Sequence, residues 1–169
     1  MKKMKTLSDL LVHELKDLYS AEKQLTKALP KVVKAATNED LKEALEAHLE
    51  ETEGQIERLD EIFTELEISN GRAPKCKAME GLIEEGKSIM EEDLDDDTMD
   101  ACLIAAGQRA EHYEMAAYGT LVAWAKAMGH AEAADLLRET LEEEKAADEK
   151  LSSLAEGGIN QSAAEAAHP

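Results

Sequence analysis

The sequence predicts an all-α protein, an antiparallel four-helix bundle with one long crossover that carries a short extra helix. Three observations carry that expectation. Aromatic residues make up only 3% of the 169-residue chain, and β-branched residues are sparse beside Ala, Leu, Glu and Lys, a composition that favours helix and offers little to a sheet. Apolar residues recur at alternating steps of three and four along four long segments, the period of an amphipathic helix. The connections between those segments are short, long and short in turn, which describes two helical hairpins joined by a crossover.

The first apolar series is Leu7, Leu11, Leu15, Leu18, Leu25, Leu29 and Val32 or Val33, with Pro30 inside it as a place for a kink or a break. Thr37, Asn38 and Glu39 read as a tight turn in which Asn38 caps the next helix. The second series, Leu41, Leu45, Leu49, Ile56, Leu59, Phe63 and Leu66, stops at the breaker Ser69-Asn70-Gly71. From Gly71 to Asp97 the pattern weakens into a crossover. There Pro74 is placed to open a short helix whose apolar face is Met79, Leu82, Ile83 and Ile89. The acidic run Glu91 to Asp97 reads as a solvated loop and helix N-terminus, where negative charge is favoured; a calcium site is the sharper alternative. The third series runs Met99, Leu103, Ala106, Ala110, Tyr113, Ala117, Leu121, Trp124 and Met128 and ends at Gly129. The fourth runs Ala133, Leu137, Leu141, Leu151 and Ala155 and ends at Gly157-Gly158. The domain is therefore expected over residues 1–156, with a flexible tail over 157–169 that ends His168-Pro169.

Thirty-eight acidic and nineteen basic residues give a net charge of -19, which repels phosphate backbones and anionic lipid. Nucleic acid and membrane are thereby set aside as partners. Lys2, Lys3 and Lys5 are followed by Ser8, Asp9, His13 and Glu14 and not by the apolar run of a signal peptide, so the expected compartment is the cytoplasm. The two cysteines are too few for a disulfide framework. Cys102 falls on an apolar stripe as a core residue, whereas Cys76, near Pro74, reads as a surface thiol.

Several acids stand where core residues belong. At 100° per residue Glu22 lies between Leu18 and Leu25 on the first helix, with Glu14 as its competitor one to two turns earlier. Glu114 falls within the Ala110, Ala117 and Leu121 stripe, with Glu111 at its edge. Glu144 is central between Leu137 and Leu151, and Asp148 follows on the same face. The second helix is less clean: His48, Thr52 and Gln55 interrupt its stripe, and Glu51 stands at the margin.

Depth strengthens the pattern. Glu22 and Glu51 lie about 15 and 13 residues from their shared turn, and Glu114 and Glu144 about 15 from theirs, which puts all four roughly 20 to 23 Å from the turns at 1.5 Å per residue. Each hairpin also repeats one arrangement, a single acid on its first helix and an acid followed four residues later by an amide or acid on its second: Glu51 with Gln55, Glu144 with Asp148. Two matching halves describe a dinuclear carboxylate site. Several carboxylates cannot stay ionised together in a dry core without a cation, and oxygen-rich ligation suits iron, manganese or magnesium, with zinc as an alternative. The bland reading is that some of 38 acids fall on stripes by chance and pair with Lys23, Arg109 or Lys145 or protonate instead. His48 is open between ligand and supporting roles, His112 reads as a surface or dimer-contact residue, and Tyr113 and Tyr118 as packing residues or hydrogen-bond donors to a ligand carboxylate.

Four segments, DLYSAEKQL at Asp17 to Leu25, HLEETEGQIERL at His48 to Leu59, RAEHYEMAAYG at Arg109 to Gly119 with AWAK at Ala123 to Lys126, and LEEEKAADEKL at Leu141 to Leu151, resemble the ferritin-like stress proteins of the YciE and YciF type. The resemblance spans about residues 5 to 156. It implies a homodimeric bundle similar to rubrerythrins and bacterial ferritins, with a dinuclear metal site and a link to stress response. Glu111-x-x-Glu114 resembles the carboxylate pair of the rubrerythrin third helix. The wider superfamily carries Glu-x-x-His on its second and fourth helices, and here Gly54 follows Glu51 and Ala147 follows Glu144 at that spacing. Gln55 and Asp148, one residue later, are the substitutes on offer. The departure weakens the expectation of rapid ferroxidase turnover, and the cysteine-rich extension by which rubrerythrins receive electrons is absent.

The leading expectation is a stress-defence protein holding two metal ions, iron before manganese or zinc, on Glu22, Glu51, Glu111, Glu114, Glu144 and Asp148. Its chemistry would be ferrous oxidation or peroxide scavenging, with dioxygen or peroxide as partner. The rival is a non-catalytic dimeric stress or scaffold protein whose inner acids are structural or hold a redox-inert ion. A third, weaker option is iron storage in a cage.

Overall fold

The computed structural model describes residues 4–69 and 74–166; the expectations for Lys2 and Lys3, for the breaker at Asn70-Gly71 and for His168-Pro169 lie outside the described residues. Five substantial helices appear in order, α1 Leu7–Ala35, α2 Glu39–Glu65, α3 Lys77–Met90, α4 Asp96–Ala127 and α5 Ala131–Leu154, followed by a wide turn Ala155–Ile159 and a short α6 Asn160–Ala166. Around the bundle each long helix touches two others, α1 with α2 and α4, α5 with α2 and α4. The all-α bundle with one helix-bearing crossover is as the sequence predicts.

Local chemistry sets the ends. Thr6 and Asp9 form a capping box at the start of α1. Asn38 caps α2 by accepting the Leu41 N–H at 3.0 Å, and the α1–α2 turn is tied to α4 by Asp100. That buried carboxylate accepts the Thr37 and Asn38 N–H groups at 2.8 and 2.9 Å and the Thr37 hydroxyl at 2.7 Å. Pro30 does not break α1; it is exposed, so the carbonyl it leaves unbonded lies on the solvent side. Gly129, at φ 80°, takes the left-handed conformation that ends α4. The acidic run is a helix start, with Asp95 capping α4 through Thr98.

Three expectations are corrected. Cys76 is not a surface thiol: it is 1% exposed and caps α3. Ser20 accepts its N–H at 2.9 Å and Gln24 donates to its carbonyl at 3.0 Å, so the crossover is clamped to α1. Cys102 is only half-buried. The described part of the tail is helical, because Ile159 inserts into the core at 7% exposure and Gly158, at φ 147°, provides the bend. No helix among the described residues is long and apolar enough to cross a membrane.

The interior divides in two. One core, at the α1–α2 turn end, gathers Leu25, Leu29, Leu41, Leu45, Met79, Leu103, Ile104 and Leu151. The other gathers Leu11, Leu15, Leu59, Phe63, Tyr118, Leu121 and Leu137. Between them lies a belt of buried polar side chains.

Candidate metal centre

The belt is built by helix period. On α2 the inward residues step 41, 45, 48, 52, 55 and 59, so His48, Thr52 and Gln55 face the axis. Glu51 falls one position off and half-emerges, at 44% side-chain exposure. Glu22 of α1, Glu111 and Glu114 of α4 and Glu144 of α5 are each 3% exposed or less.

His48, Glu111, Glu114 and Glu144 each offer a ligand atom within 4.8 Å of the others. His48 Nε2 lies 3.0 Å from Glu111 Oε1. The Glu111 carboxyl meets that of Glu144, and the Glu114 carboxyl meets that of Glu22. Tyr118, fully buried on α4, donates its hydroxyl to Glu22 Oε1. The groups thus follow one another as His48, Glu111, Glu144, Glu114 and Glu22.

Facing carboxyls have no donor between them unless one holds a proton, and the electrostatics reflect this. Burial, reinforced by Glu22, Glu144 and Glu111, pushes the Glu114 carboxyl well above its usual range. Burial and Glu111 push Glu144 up in the same way. Glu22 is raised by burial to about 7, the Glu114 carboxyl facing it and the hydrogen bond from Tyr118 limiting the rise. Burial also opposes charge on Glu111, but the Glu144 carboxyl facing it and His48 beside it outweigh that and hold this carboxyl low. His48 is raised despite burial by the Glu111 carboxylate at 3.0 Å and by the Glu51 carboxylate beside it. Without a cation the belt is therefore a His48–Glu111 ion pair beside two protonated acids, Glu114 and Glu144, with Glu22 gaining its proton near pH 7.

The belt fits a metal on a simple observation. Among the described residues, the buried side-chain polar atoms without a hydrogen-bond partner are Glu22 Oε2, His48 Nδ1, Gln55 Oε1, Glu111 Oε2 and both oxygens of Glu114 and of Glu144. All belong to this belt, whereas buried polar groups elsewhere are normally bonded. Gln55 is oriented for the same role. Its Nε2 donates to Glu143 at 3.0 Å, and Glu143 is gripped by Arg58, so the amide oxygen is the end left free. Two divalent cations balance the four carboxylates, and the donor set of carboxylate, imidazole and amide oxygen suits iron, manganese or zinc.

The structure brings together four of the sequence-selected acids, Glu22, Glu111, Glu114 and Glu144, and leaves two out. Glu51 stands outside His48, its carboxylate 3.7 Å from Nδ1. Asp148 faces the side of the bundle, accepting from His112 at 3.1 Å and Gln108 at 3.2 Å. Glu14, the rival of Glu22, is half-exposed and lies beside His13, away from the belt. The two hairpins are thus less alike than their spacing suggests: α5 supplies Glu144, while α2 supplies His48 and the inward pair Thr52 and Gln55. His48 and Gln55 carried a signal, the 48, 52, 55 period; Glu51 carried only its depth. Among the described residues the belt is the one cluster of potential ligands, so the acidic run gathers none.

A family model described as Domain of unknown function (DUF892) matches residues 6–164. The chain belongs to this family. Its relatives include Protein YciF of Escherichia coli (strain K12), 52% identical over 160 residues, or 95% of this chain and 96% of YciF, which agrees with the YciE and YciF resemblance. Among solved structures, that of the E. coli stress protein YciF superposes with a TM-score of 0.87 at 53% identity, covering 93% of this chain and 99% of that one. YcfI from Rhodopseudomonas palustris follows at 0.85 and 46% identity, covering 90% and 96%. A Xanthomonas campestris protein at 24% identity and 0.69, covering 90% and 92%, shares the fold.

Proposed function

We propose that this member of the DUF892 family is a metal-binding stress-response protein whose polar belt holds two metal ions, iron foremost. The observation that carries the reading is the confinement of the unpartnered buried polar atoms to one belt of facing acids. His48, Glu111 and Glu144 would hold one ion and Glu114 and Glu22 the other, with Gln55 as a neutral donor. Bound iron would supply one-electron chemistry toward dioxygen or peroxide, as in ferrous oxidation or peroxide scavenging. The chain's own part is to orient and to manage protons. Tyr118 is kept protonated by burial and fixes the Glu22 carboxylate, Glu143 and Arg58 fix Gln55, and the acids give up their protons as metal enters.

The stress assignment comes from the E. coli relative, called a stress protein, and the homodimer from the YciE and YciF resemblance. One observation favours a second, non-catalytic reading: α2 presents Thr52 and Gln55, not Glu-x-x-His, so the belt is poorer in charged donors on that side and suits a redox-inert ion in a scaffold. Elemental analysis of protein purified without added metal, followed by ferrous loading with oxygen consumption recorded, separates them. About two irons per chain and oxygen consumption that fails in Glu144→Ala support the first reading. Metal bound without oxygen consumption supports the second, and no metal under either condition overturns the first and leaves a scaffold whose inner acids are structural.

A further inference from the structure

A cavity of about 400 Å³ opens beside the belt at the α1–α2 turn end. Its inner end is His48 and Glu111, and its walls are apolar: Leu25, Leu29 and Leu45, Met79 and Ile83 of the crossover helix, and Leu103. Ala44, Ala47, Ala106, Gly107, Ala110 and Ala147 leave the room. Protein interiors hold few voids larger than a water molecule, and apolar cavities of roughly 150 Å³ already take up small hydrocarbons. This one lies within the roughly 300 to 1,000 Å³ of ligand sites.

Its shape selects the occupant. The wall on α2 runs from Asp40 to Glu51, about 16 Å at 1.5 Å per residue. A volume of about 400 Å³ along that length gives a long, narrow site in the range of small-molecule pockets. An extended aliphatic chain can lie along this length with its whole surface against the apolar walls. The wall also carries Lys31 and Lys150, which have no acid partner among the described residues, beside Asp40 and Glu43, so a polar end finds hydrogen-bonding groups of both signs. We propose that this cavity binds an amphiphile with an unbranched aliphatic chain, the chain lying along the apolar walls toward His48 and Glu111. Binding rests on the cavity alone; the chain's nearness to a metal rests on the reading above.

Titration calorimetry with octanoate, decanoate and decanol, on metal-free and metal-loaded full-length protein, tests this. Affinity should rise about fourfold per added methylene, and decanol should bind too, more weakly if Lys31 and Lys150 hold the carboxylate. Ala106→Leu and Gly86→Leu, whose added atoms fill the cavity, should each weaken decanoate binding by about tenfold or more with metal content unchanged and thermal unfolding no lower. Gly86 has room, since an added Cβ meets only the Ala106 Cβ at 3.5 Å. No binding to the unsubstituted protein, or binding that both filled variants keep, overturns the proposal. Unsubstituted protein that binds decanoate but takes up no metal would overturn the metal reading and leave this one standing.

Discussion

The two halves of the bundle share four helices and differ in how they are filled. The half beyond the belt from the α1–α2 turn is closed by rings: Tyr118 and Phe63 are buried, Tyr19 packs edge-on against Phe63 at 5.4 Å between centroids, and Trp124 seals its side. The half at the turn has no ring among its fully buried apolar residues, relies on Leu, Met and Ala, and encloses the cavity. The polar belt lies where these regimes meet. The difference teaches that the aromatic half can serve as the scaffold that holds Glu22, Glu114 and Glu144 in place, while the aliphatic half trades packing for access to His48 and Glu111.

That contrast can be broken by mutation. Phe63→Ala in the filled half should cost about 3–5 kcal/mol of unfolding free energy in urea. Leu29→Ala, equally apolar but lining the cavity, should fall near the low end of the range for such changes, about 2 kcal/mol, because one side of Leu29 already lacks partner atoms. Equal losses would show that the two halves are packed alike.

The belt lends itself to a pH test of the metal-free protein. Glu22, Glu114, Glu144 and His48 are all raised in the folded state, so each binds more protons folded than unfolded. For the three acids that contribution is fully present below the ordinary carboxylate value of 4.5, and for His48 below the ordinary 6.5; it is lost as pH rises through the folded values, about 7 for Glu22. Glu111, held low, acts in the opposite sense only at acidic pH. Metal-free protein should therefore resist urea better at pH 5 than at pH 8, and saturating metal should remove the loss at pH 8. A metal-free protein more stable at pH 8 would contradict the burial of these acids.

A smaller effect is expected at Tyr118. Tyr118→Phe keeps the ring and removes the hydroxyl that Glu22 accepts, so stability should change by about 1–2 kcal/mol while metal affinity falls, as seen in a ferrous titration. Unchanged affinity would show that Glu22 needs no such partner.

Much of this arrangement was legible in the sequence. The four stripes, the turns at Asn38 and Gly129 and the inward angles of Glu22, Glu114 and Glu144 follow from period alone, because a helix fixes angle and rise together. What failed was inference by symmetry. Glu51 shares the depth of the other acids but not their angle, and one residue along a helix is 100°, enough to turn a side chain from core to surface. Asp148 lies only about 40° past Glu144, yet it is captured by His112 and Gln108, partners that only packing reveals. Cys76 depended on where the crossover docks, which periodicity does not encode, and the cavity is a property of side-chain volumes summed across five helices.

The central claim is that the buried acids are a metal centre, and anomalous diffraction from crystals soaked in ferrous iron without oxygen tests it most directly. The account predicts two anomalous peaks among His48, Glu111, Glu144, Glu114 and Glu22, and none at Glu51 or Asp148. A belt with no peak, its carboxyls paired through protons, would contradict it.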